Sequence, residues 1–515
     1  MSRIKMNEDN KQQKVSNVLE RFDKAKSLRQ NWISHWNDCY DYALPQRSDS
    51  GSFGLTGASR VKHLYDATAI DAVDQLAASL LGHLTPPWTQ WFGLKAGPDL
   101  SEEEAKKLSP VLEDIARKIQ THFDRSNFSV EMHQCFLDLA VGGTSTLCFE
   151  ETAVGEYSAF KFSAVPLQDV VLEEGDNGFL EGSHRNLSLT LAQIQKRYPQ
   201  AELPLYILRN GDKDSQKTFD VLESILPENG TYHFTAILET DNDKIILKEG
   251  MFAHSPVISF RWMKSPGEIY GRSPVMKALP DIKTANKVVE LVLKNASIAV
   301  TGIWQADDDG VLNPANIELV PGAIIPKAVG SQGLKSLDMP GRFDVSELVL
   351  ADLRGRIRHA LLSDQFSPIS NKKMSATEVL ERSNEMALLM GATYGRLQSE
   401  LLTPLIMRAF SILKRRGEIP DIALDGRYVM LDFRSPLARM QGRGHVQSVM
   451  TWLNTVSSMG ADAAGKIDTD KAVRFLGDAL GVPKDLIRQE VIPDILSSDT
   501  LSADISKLVE DADAV

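Results

Sequence analysis

The stretch that decides the fold runs from residue 270 to residue 297, YGRSPVMKALPDIKTANKVVELVLKNAS. Ser273 followed by Pro274 is a strong helix start: a hydroxyl acceptor for unpaired backbone N–H groups, then a ring whose fixed φ suits the first helical position. Ile282, Ala285, Val289, Val292 and Ala296 then recur every three or four residues. That spacing predicts one apolar stripe on a helix reaching to about Ser297, with Pro280 as an early kink. Residues 299–342 change character, with short apolar runs such as 323–326 set between Asp307-Asp308-Asp309-Gly310, Asn313-Pro314, Pro321-Gly322 and Pro340-Gly341. Such turn chemistry predicts a small β-rich excursion. Asp344 with Glu347 opens the next helix, whose stripe Val349, Leu353, Ile357 and Leu361 extends to about Ser363. The predicted unit is helix, small β module, returning helix.

Toward the C-terminus, a polar loop at 364–374 precedes Ser375 and Glu378, a capping box for a helix carrying Met386, Met390, Tyr394, Leu397, Leu401, Leu405, Ala409 and Leu413 on one face. Roughly 40 residues at a 1.5 Å rise reach about 60 Å, and Gly391 and Pro404 are the expected bends. A short strand follows at 428–433. Residues 442–496 read as helical, broken at Gly460, Gly481-Val482-Pro483 and Pro493, and the acidic residues 497–515 are weakly patterned. Toward the N-terminus, Val18, Phe22, Ala25, Leu28, Trp32, Trp36 and Cys39 predict an amphipathic helix over 14–43 closed by Pro45. A Gly/Ser-rich loop at 48–59 leads to a helix over 67–83 that stops at Pro86-Pro87. Trp88, Trp91 and Phe92 then cluster as the anchor of a loop or strand. Ser101 with Glu104 opens a surface-facing helix to about Phe123, which Pro110 should interrupt or kink. Alternating β-branched and aromatic runs over 144–172 and 218–262 predict antiparallel sheet. The fold class is α+β, mainly helical.

The 515 residues are 43% hydrophobic, enough for real cores in three or four domains. Lysine and arginine total 57 against 69 acidic residues, a net charge of −12, which excludes a surface that grips phosphates everywhere and leaves only local or weak nucleic-acid contact. Cys39, Cys135 and Cys148 match neither a disulfide framework nor paired metal spacing, which favours a reducing compartment. With no signal-like segment in residues 1–14 and no run of about 18 apolar residues, the expectation is a soluble protein made in the cytoplasm, with no membrane partner.

No enzymatic constellation stands out. Val141-Gly142-Gly143-Thr144-Ser145 lacks the Gly-Lys-Ser/Thr of a P-loop and reads as a backbone turn at a strand start. Glu131, His133 and Cys135 diverge on a helix. Asp307, Asp308 and Asp309 lack the ligand alternation of a calcium loop and read as an acidic hairpin turn. No serine sits in a nucleophile elbow. The sequence therefore reads as a non-enzyme without cofactor or metal. Among the basic residues, Lys283, Lys287 and Lys294 share a helix face with Glu290, and Arg354 and Arg358 share a face with Glu347. In a single chain these are solvated faces of mixed charge, and Lys372 and Lys373 are an ordinary surface loop.

The order of parts, Tyr270-Gly271-Arg272-Ser273 into a helix, the β excursion, the returning helix, the polar loop and the long helix over 375–416, resembles the head-to-tail connecting (portal) proteins of short-tailed phages. Leu84-Thr85-Pro86-Pro87-Trp88-Thr89-Gln90-Trp91 and Arg434-Ser435-Pro436-Leu437-Ala438-Arg439 resemble two further segments of that family. The resemblance covers about residues 15–495. It implies a closed ring, dodecameric in the family, around an axial channel for double-stranded DNA at a capsid vertex, serving packaging and ejection without reading bases. It assigns 1–272 to a wing, 273–298 to a stem helix, 299–342 to a clip, 343–363 to a second stem helix, 364–374 to a tunnel loop, 375–433 to a long kinked helix and strand completing the wing, and 434–515 to a helical crown. The short C-terminal region departs from larger relatives and argues against an extended internal barrel. The implied partners are terminase, tail adaptor and nozzle proteins, and the major capsid and scaffolding proteins, with assembly in the host cytoplasm and residence in the virion.

A ring changes the meaning of the basic residues, because rotational assembly multiplies each of them around the axis. The tunnel-loop residues Gln365, Asn371, Lys372 and Lys373 and the stem residues Lys283, Lys287, Lys294, Arg354 and Arg358 become channel candidates. A locally basic, globally acidic lumen attracts phosphates weakly enough for DNA to slide. The competing reading is a virion assembly or scaffold protein that forms no channel.

Overall fold

The structure, a computed structural model, describes residues 2–47, 63–87, 89–213, 216–240, 243–301, 304–306, 329, 334–336, 343–366, 390–422, 424, 426–436, 449–456, 458–459 and 467–480. The Gly/Ser-rich loop, most of the predicted clip with its acidic turn, most of the polar loop and the start of the long helix lie outside these residues.

The first helix, α1 (Ser2–Ala43), begins earlier than its stripe predicts and serves two cores. Val15, Val18, Leu19, Phe22 and Ala25 pack against Val171, Leu222, Leu226 and Ile237, whereas Trp36, Cys39 and Tyr40 enter the main core. Leu28, placed in the stripe by spacing, is instead exposed at the changeover. Helix α2 (Thr68–Leu84) is followed by β1 (Phe92–Ala96). Helix α3 (Glu102–Asp124) has the predicted capping box at Ser101. Pro110 does not interrupt it, because that position faces solvent, where water can serve the carbonyl left without its N–H donor. Nor is the helix merely superficial. Leu112, Ile115, Ala116, Ile119 and Phe123 are buried, and Phe123 meets Trp91, Phe92, Phe128, Phe149, Phe160 and Phe162 in an aromatic cluster.

Helix α4 (Phe128–Gly142) ends at Gly143, whose φ of 75° is the left-handed conformation of a helix stop, and β2 (Thr144–Glu151) starts at once. The glycine-rich segment is thus the turn into a strand. A Cβ at Gly143 would lie 2.3 Å from the carbonyl oxygen of Gly271, so both the turn and this close approach demand glycine. Strands β3 (Phe160–Val165) and β9 (Val257–Arg261) flank β2 in a three-stranded antiparallel sheet. Strands β4 (Val170–Glu174), β5 (Leu180–Thr190), β6 (Thr218–Glu228), β7 (Thr231–Glu239) and β8 (Lys244–Phe252) form an antiparallel meander in chain order. Helices α5 (Leu191–Arg197) and α6 (Leu205–Lys213) cover part of it. The three cysteines are buried free thiols, and burial pushes Cys39 and Cys148 up to about 12, so they fill space as neutral thiols.

Helix α7 (Pro274–Thr301), strands β10 (Trp304–Ala306) and β11 (Leu334–Ser336), helix α8 (Phe343–Ala360) and the single turn α9 (Ser363–Phe366) follow. The helix after the polar loop is described from residue 390. It runs through Gly391 without a break, contains a π-helical turn at Gln398–Leu402 and continues as α10 (Thr403–Arg416). The irregularity therefore falls just before Pro404, whose ring conflicts with an α-helical carbonyl four residues back; widening that turn relieves the clash. Strand β12 (Val429–Phe433) returns to pair antiparallel with β1, Phe92 opposite Phe433. The last described helix is α11 (Thr469–Leu480).

One buried ion pair ties these parts. Arg261, at the end of β9 and fully buried, donates through Nη2 to Glu400 Oε1 at 2.7 Å, and its backbone N–H donates to Glu400 Oε2 at 2.9 Å. Its other guanidinium N–H groups reach the carbonyls of Ile269 (3.0 Å) and Gly178 (2.7 Å), while Arg396 donates to Glu400 at 3.2 Å. Removing one partner leaves the other charge stranded in a dry site. Arg261→Met is accordingly expected to lower unfolding free energy by about 3–5 kcal/mol in urea titrations, with the companion change Glu400→Leu recovering part of the loss.

A second cluster docks α1 on the meander. Glu173 accepts from Arg21 Nε (3.1 Å) and from the buried His184 Nε2 (2.9 Å), whose other ring nitrogen meets Ser224 Oγ at 2.8 Å. Burial raises the Glu173 pKa, but these donors outweigh it and hold the carboxyl at about 2 against an ordinary 4.5. A depressed carboxylate stabilises the fold above its unfolded pKa and loses that contribution as pH falls toward its folded pKa. Between about pH 4.5 and 2, the wild type should therefore lose more stability than Glu173→Gln, as read by circular dichroism at a series of pH values.

Candidate functional site on the paired helices

The sequence 270–273 is an anchor for α7. The Tyr270 hydroxyl accepts the N–H of Leu172 (3.2 Å), and burial pushes this phenol up to about 12. Gly271 N–H donates to Thr144 Oγ1 at 2.8 Å, and the Arg272 guanidinium lies 4.7 Å from the centre of the Trp32 ring. Ser273 Oγ accepts from Met276 N–H (2.9 Å) and donates to the Val141 carbonyl (2.8 Å). It caps the helix as its sequence position predicts and fixes it to α4.

Helix α8 packs antiparallel to α7. Arg356 near its C-terminal end pairs with Asp281 near the start of α7 (2.9 Å), while β10 and β11 pair at the opposite end, Trp304 opposite Ser336. The first half of α7 is clamped: Val275, Ala278, Leu279, Ile282, Ala285 and Asn286 are buried within this one chain. Beyond Asn286 no described side chain of α7 is buried, and Leu291 and Leu293 are 49% and 53% exposed. Helix α8 shows the same gradient, with Leu353, Ile357 and, just past its end, Leu361 buried but Val349 and Leu348 43% and 75% exposed. The stripe read from Val349 to Leu361 therefore spans two environments, its first residue lying beyond the clamp.

The clamp is polar as well as apolar. Asn286 Oδ1 accepts from the backbone of Tyr65 (2.7 Å) and Asp66 (3.2 Å), and its Nδ2 donates to the His63 carbonyl (2.9 Å). The buried Asp66 accepts from Thr68 N–H (2.9 Å) and from Arg354 Nε (2.8 Å). Burial alone raises Asp66, but these bonds leave its pKa below the ordinary value. Residues 63–68 thus wedge against both helices.

The basic candidates divide sharply. Lys283 reaches Asp38 of α1 (2.8 Å) and lies over the Tyr42 ring, and Arg354 is held by Asp66, so both are engaged within the chain. Lys287 and Lys294 both bond Glu290, at 2.9 and 2.6 Å, on an exposed face. Arg358 is exposed, with no carboxylate partner among the described residues. Gln365 falls in α9, and Asn371, Lys372 and Lys373 lie outside the described residues. Of the metal candidates, Glu131 accepts the Ala164 N–H (2.8 Å) and Cys135 is buried beside the Thr146 carbonyl. Sequence reasoning missed Asn286, Asp66 and the Asp281–Arg356 pair, because their partners are far apart in the chain and no local spacing marks them.

Residues 15–487 match the model of the family described as bacteriophage head to tail connecting protein. The chain belongs to this family. Among curated relatives, it is 24% identical over 500 residues to the probable portal protein of Bordetella phage BPP-1, covering 91% of this chain and 88% of that protein. It is 24% identical over 518 residues to the portal protein of Salmonella phage epsilon15, covering 93% and 90%. A solved chain from the neck of an empty GTA particle is 11% identical, with a TM-score of 0.36 over 81% of this chain and 92% of that one, too slight a likeness to argue from.

In this connecting protein, the division among basic residues is measurable. Arg354→Ala strands the buried Asp66 carboxylate and should cost about 1–3 kcal/mol, read as a lower denaturation midpoint. Lys287→Ala and Lys294→Ala each remove one exposed contact to Glu290 and should leave the midpoint unchanged.

Proposed function

We propose that this chain is the subunit of a phage portal, a closed ring at one capsid vertex through which double-stranded DNA enters during packaging and leaves during ejection. The observation that carries this reading is the anchored pair α7 and α8, closed at its far end by β10 and β11, within a chain that matches the head-to-tail connecting family from residue 15 to 487. In this reading the pair forms the stem (273–298 and 343–363), 299–342 the clip, 364–374 the tunnel loop, 1–272 with 375–433 the wing, and 434–515 the crown.

The graded burial of the stem helices supports assembly. Their first halves are satisfied within the chain, and Leu291, Leu293, Leu348 and Val349 remain exposed, an apolar surface suited to a neighbouring stem in a ring, dodecameric as in the family. Helices suit such a wall because their backbone hydrogen bonds are internal, so a stiff pore needs no sheet edge. Lys287, Lys294 and Arg358, free of the clamp, join Lys372 and Lys373 as the residues that meet phosphates. Lys283 and Arg354 are the weaker channel candidates, because each serves the fold. The role is structural, and the force that moves DNA comes from terminase docked at the clip, which the tail adaptor and nozzle proteins later occupy.

Negative-stain images of the purified protein should show rings with a central hole. Uniform monomers and irregular aggregates at high concentration would instead favour a scaffold protein without a channel. In infected cells, Lys372→Glu with Lys373→Glu should still form rings but yield fewer full heads; unchanged packaging and genome retention would remove the loop from the DNA path.

A further inference from the structure

Between the two sheets of the first half lies a cavity of about 420 Å³, walled by Val165, Val170, Ile225, Phe234, Phe252 and Val257 and remote in sequence from the paired helices. Five basic side chains line it, Arg185, Arg197, Lys248, Arg408 and Arg415, against three carboxylates, Glu150, Glu151 and Glu223. The carboxylates are already committed. Glu223 accepts from Arg197 Nε (2.8 Å) and the Tyr198 hydroxyl (2.5 Å), Glu150 lies 3.6 Å from Arg197, and Glu151 pairs with Arg415 and Arg416.

Two guanidiniums are left over. Arg408 is 5% exposed and meets no carboxylate: Nε donates to the Phe149 carbonyl (2.8 Å), Nη1 to the His254 carbonyl (2.7 Å), and Nη2 has no acceptor among the described residues. Its charge lies near the rings of Phe149 and Phe252, 5.6 and 5.1 Å from their centroids. Burial without a counter-ion pulls the Arg408 pKa down to about 10, the cost of a cation held where it is poorly compensated. Arg185, on β5, has a buried Nε with no hydrogen-bond partner. Both side chains line the same cavity as the buried Cys148 of β2. A buried cation without a partner is costly, and an arginine fork offers paired donors matched to an oxyanion.

We propose that this cavity is a binding site for a small oxyanion, a phosphate or a carboxylate, held by Arg185 and Arg408. The anion supplies the counter-charge that the buried Arg408 lacks. Its occupancy tightens the junction of the two sheets with α10, since β2, β5, β8 and α10 all contribute to the lining.

The test is thermal unfolding of the full chain titrated separately with inorganic phosphate and with acetate, chloride being adjusted to hold ionic strength constant. A ligand that binds only the folded state raises the melting temperature along a saturating curve, and a rise of a few degrees is expected with at least one of the two anions. Arg185→Gln forms no bond the fold depends on, so it should melt with or above the wild type in anion-free buffer and show no saturating rise. Arg408→Lys, which retains one donor for the Phe149 or His254 carbonyl, should shift saturation to higher concentration. No saturation with either anion, or equal saturation in Arg185→Gln, overturns the proposal; saturation with one anion alone identifies the chemistry of the ligand.

Discussion

The Arg261–Glu400 pair joins parts of the fold that lie far apart in the chain. Two opposite charges leave water here, and the cost of that transfer is offset only because nearly every donor on the guanidinium finds an oxygen: Glu400, Ile269 and Gly178 all converge on it. Those oxygens belong to the π-helical turn, the approach to α7 and the tip of the meander. Their positions are therefore mutually fixed, since moving any one strands a charge or a donor. The close approach of Gly143 and Gly271 acts at the same junction by sterics, so charge pairing and van der Waals exclusion specify one arrangement.

What the sequence makes visible and what it hides follow one rule: contacts within a turn or two of helix can be read, and contacts across the fold cannot. Ser101 with Glu104, Ser273 before Pro274, and the face Leu397, Leu401, Leu405, Ala409 and Leu413 are local patterns, and each behaves as its spacing says. Strand β5 escaped because its buried positions Gly182, Ser183 and His184 are consecutive and not apolar, His184 being hydrogen-bonded to Ser224, so no alternation marks the strand. Leu28 and Val349 misled for the converse reason: Leu28 falls between the two cores that α1 serves, and Val349 starts its stripe before the buried part of α8 begins. For the candidate site, spacing located the helices and their lysines but not which cations the fold consumes, because Asp38 and Asp66 reach them from more than 200 residues away.

The acidic balance of the chain fits a conduit better than a clamp. Positive charge on α7 and α8 is partly neutralised by its own neighbours, Glu290 for two lysines and Asp281 for Arg356. If these helices line the proposed channel, such a surface offers a polyanion many shallow attractions and no deep one, which suits passage.

The burial gradient along α7 has a mechanical meaning. A helix gripped from Val275 to Asn286 and ungripped beyond is a cantilever, with about 22 Å of lever projecting past its support. A sideways load on the β10–β11 end is felt as a bending moment greatest at the root, where Asn286, Asp66 and Arg354 sit. Stiffness at the tip is thus set by hydrogen bonds at the root, and a weakened root would be recorded as wobble far away, at the β10–β11 end.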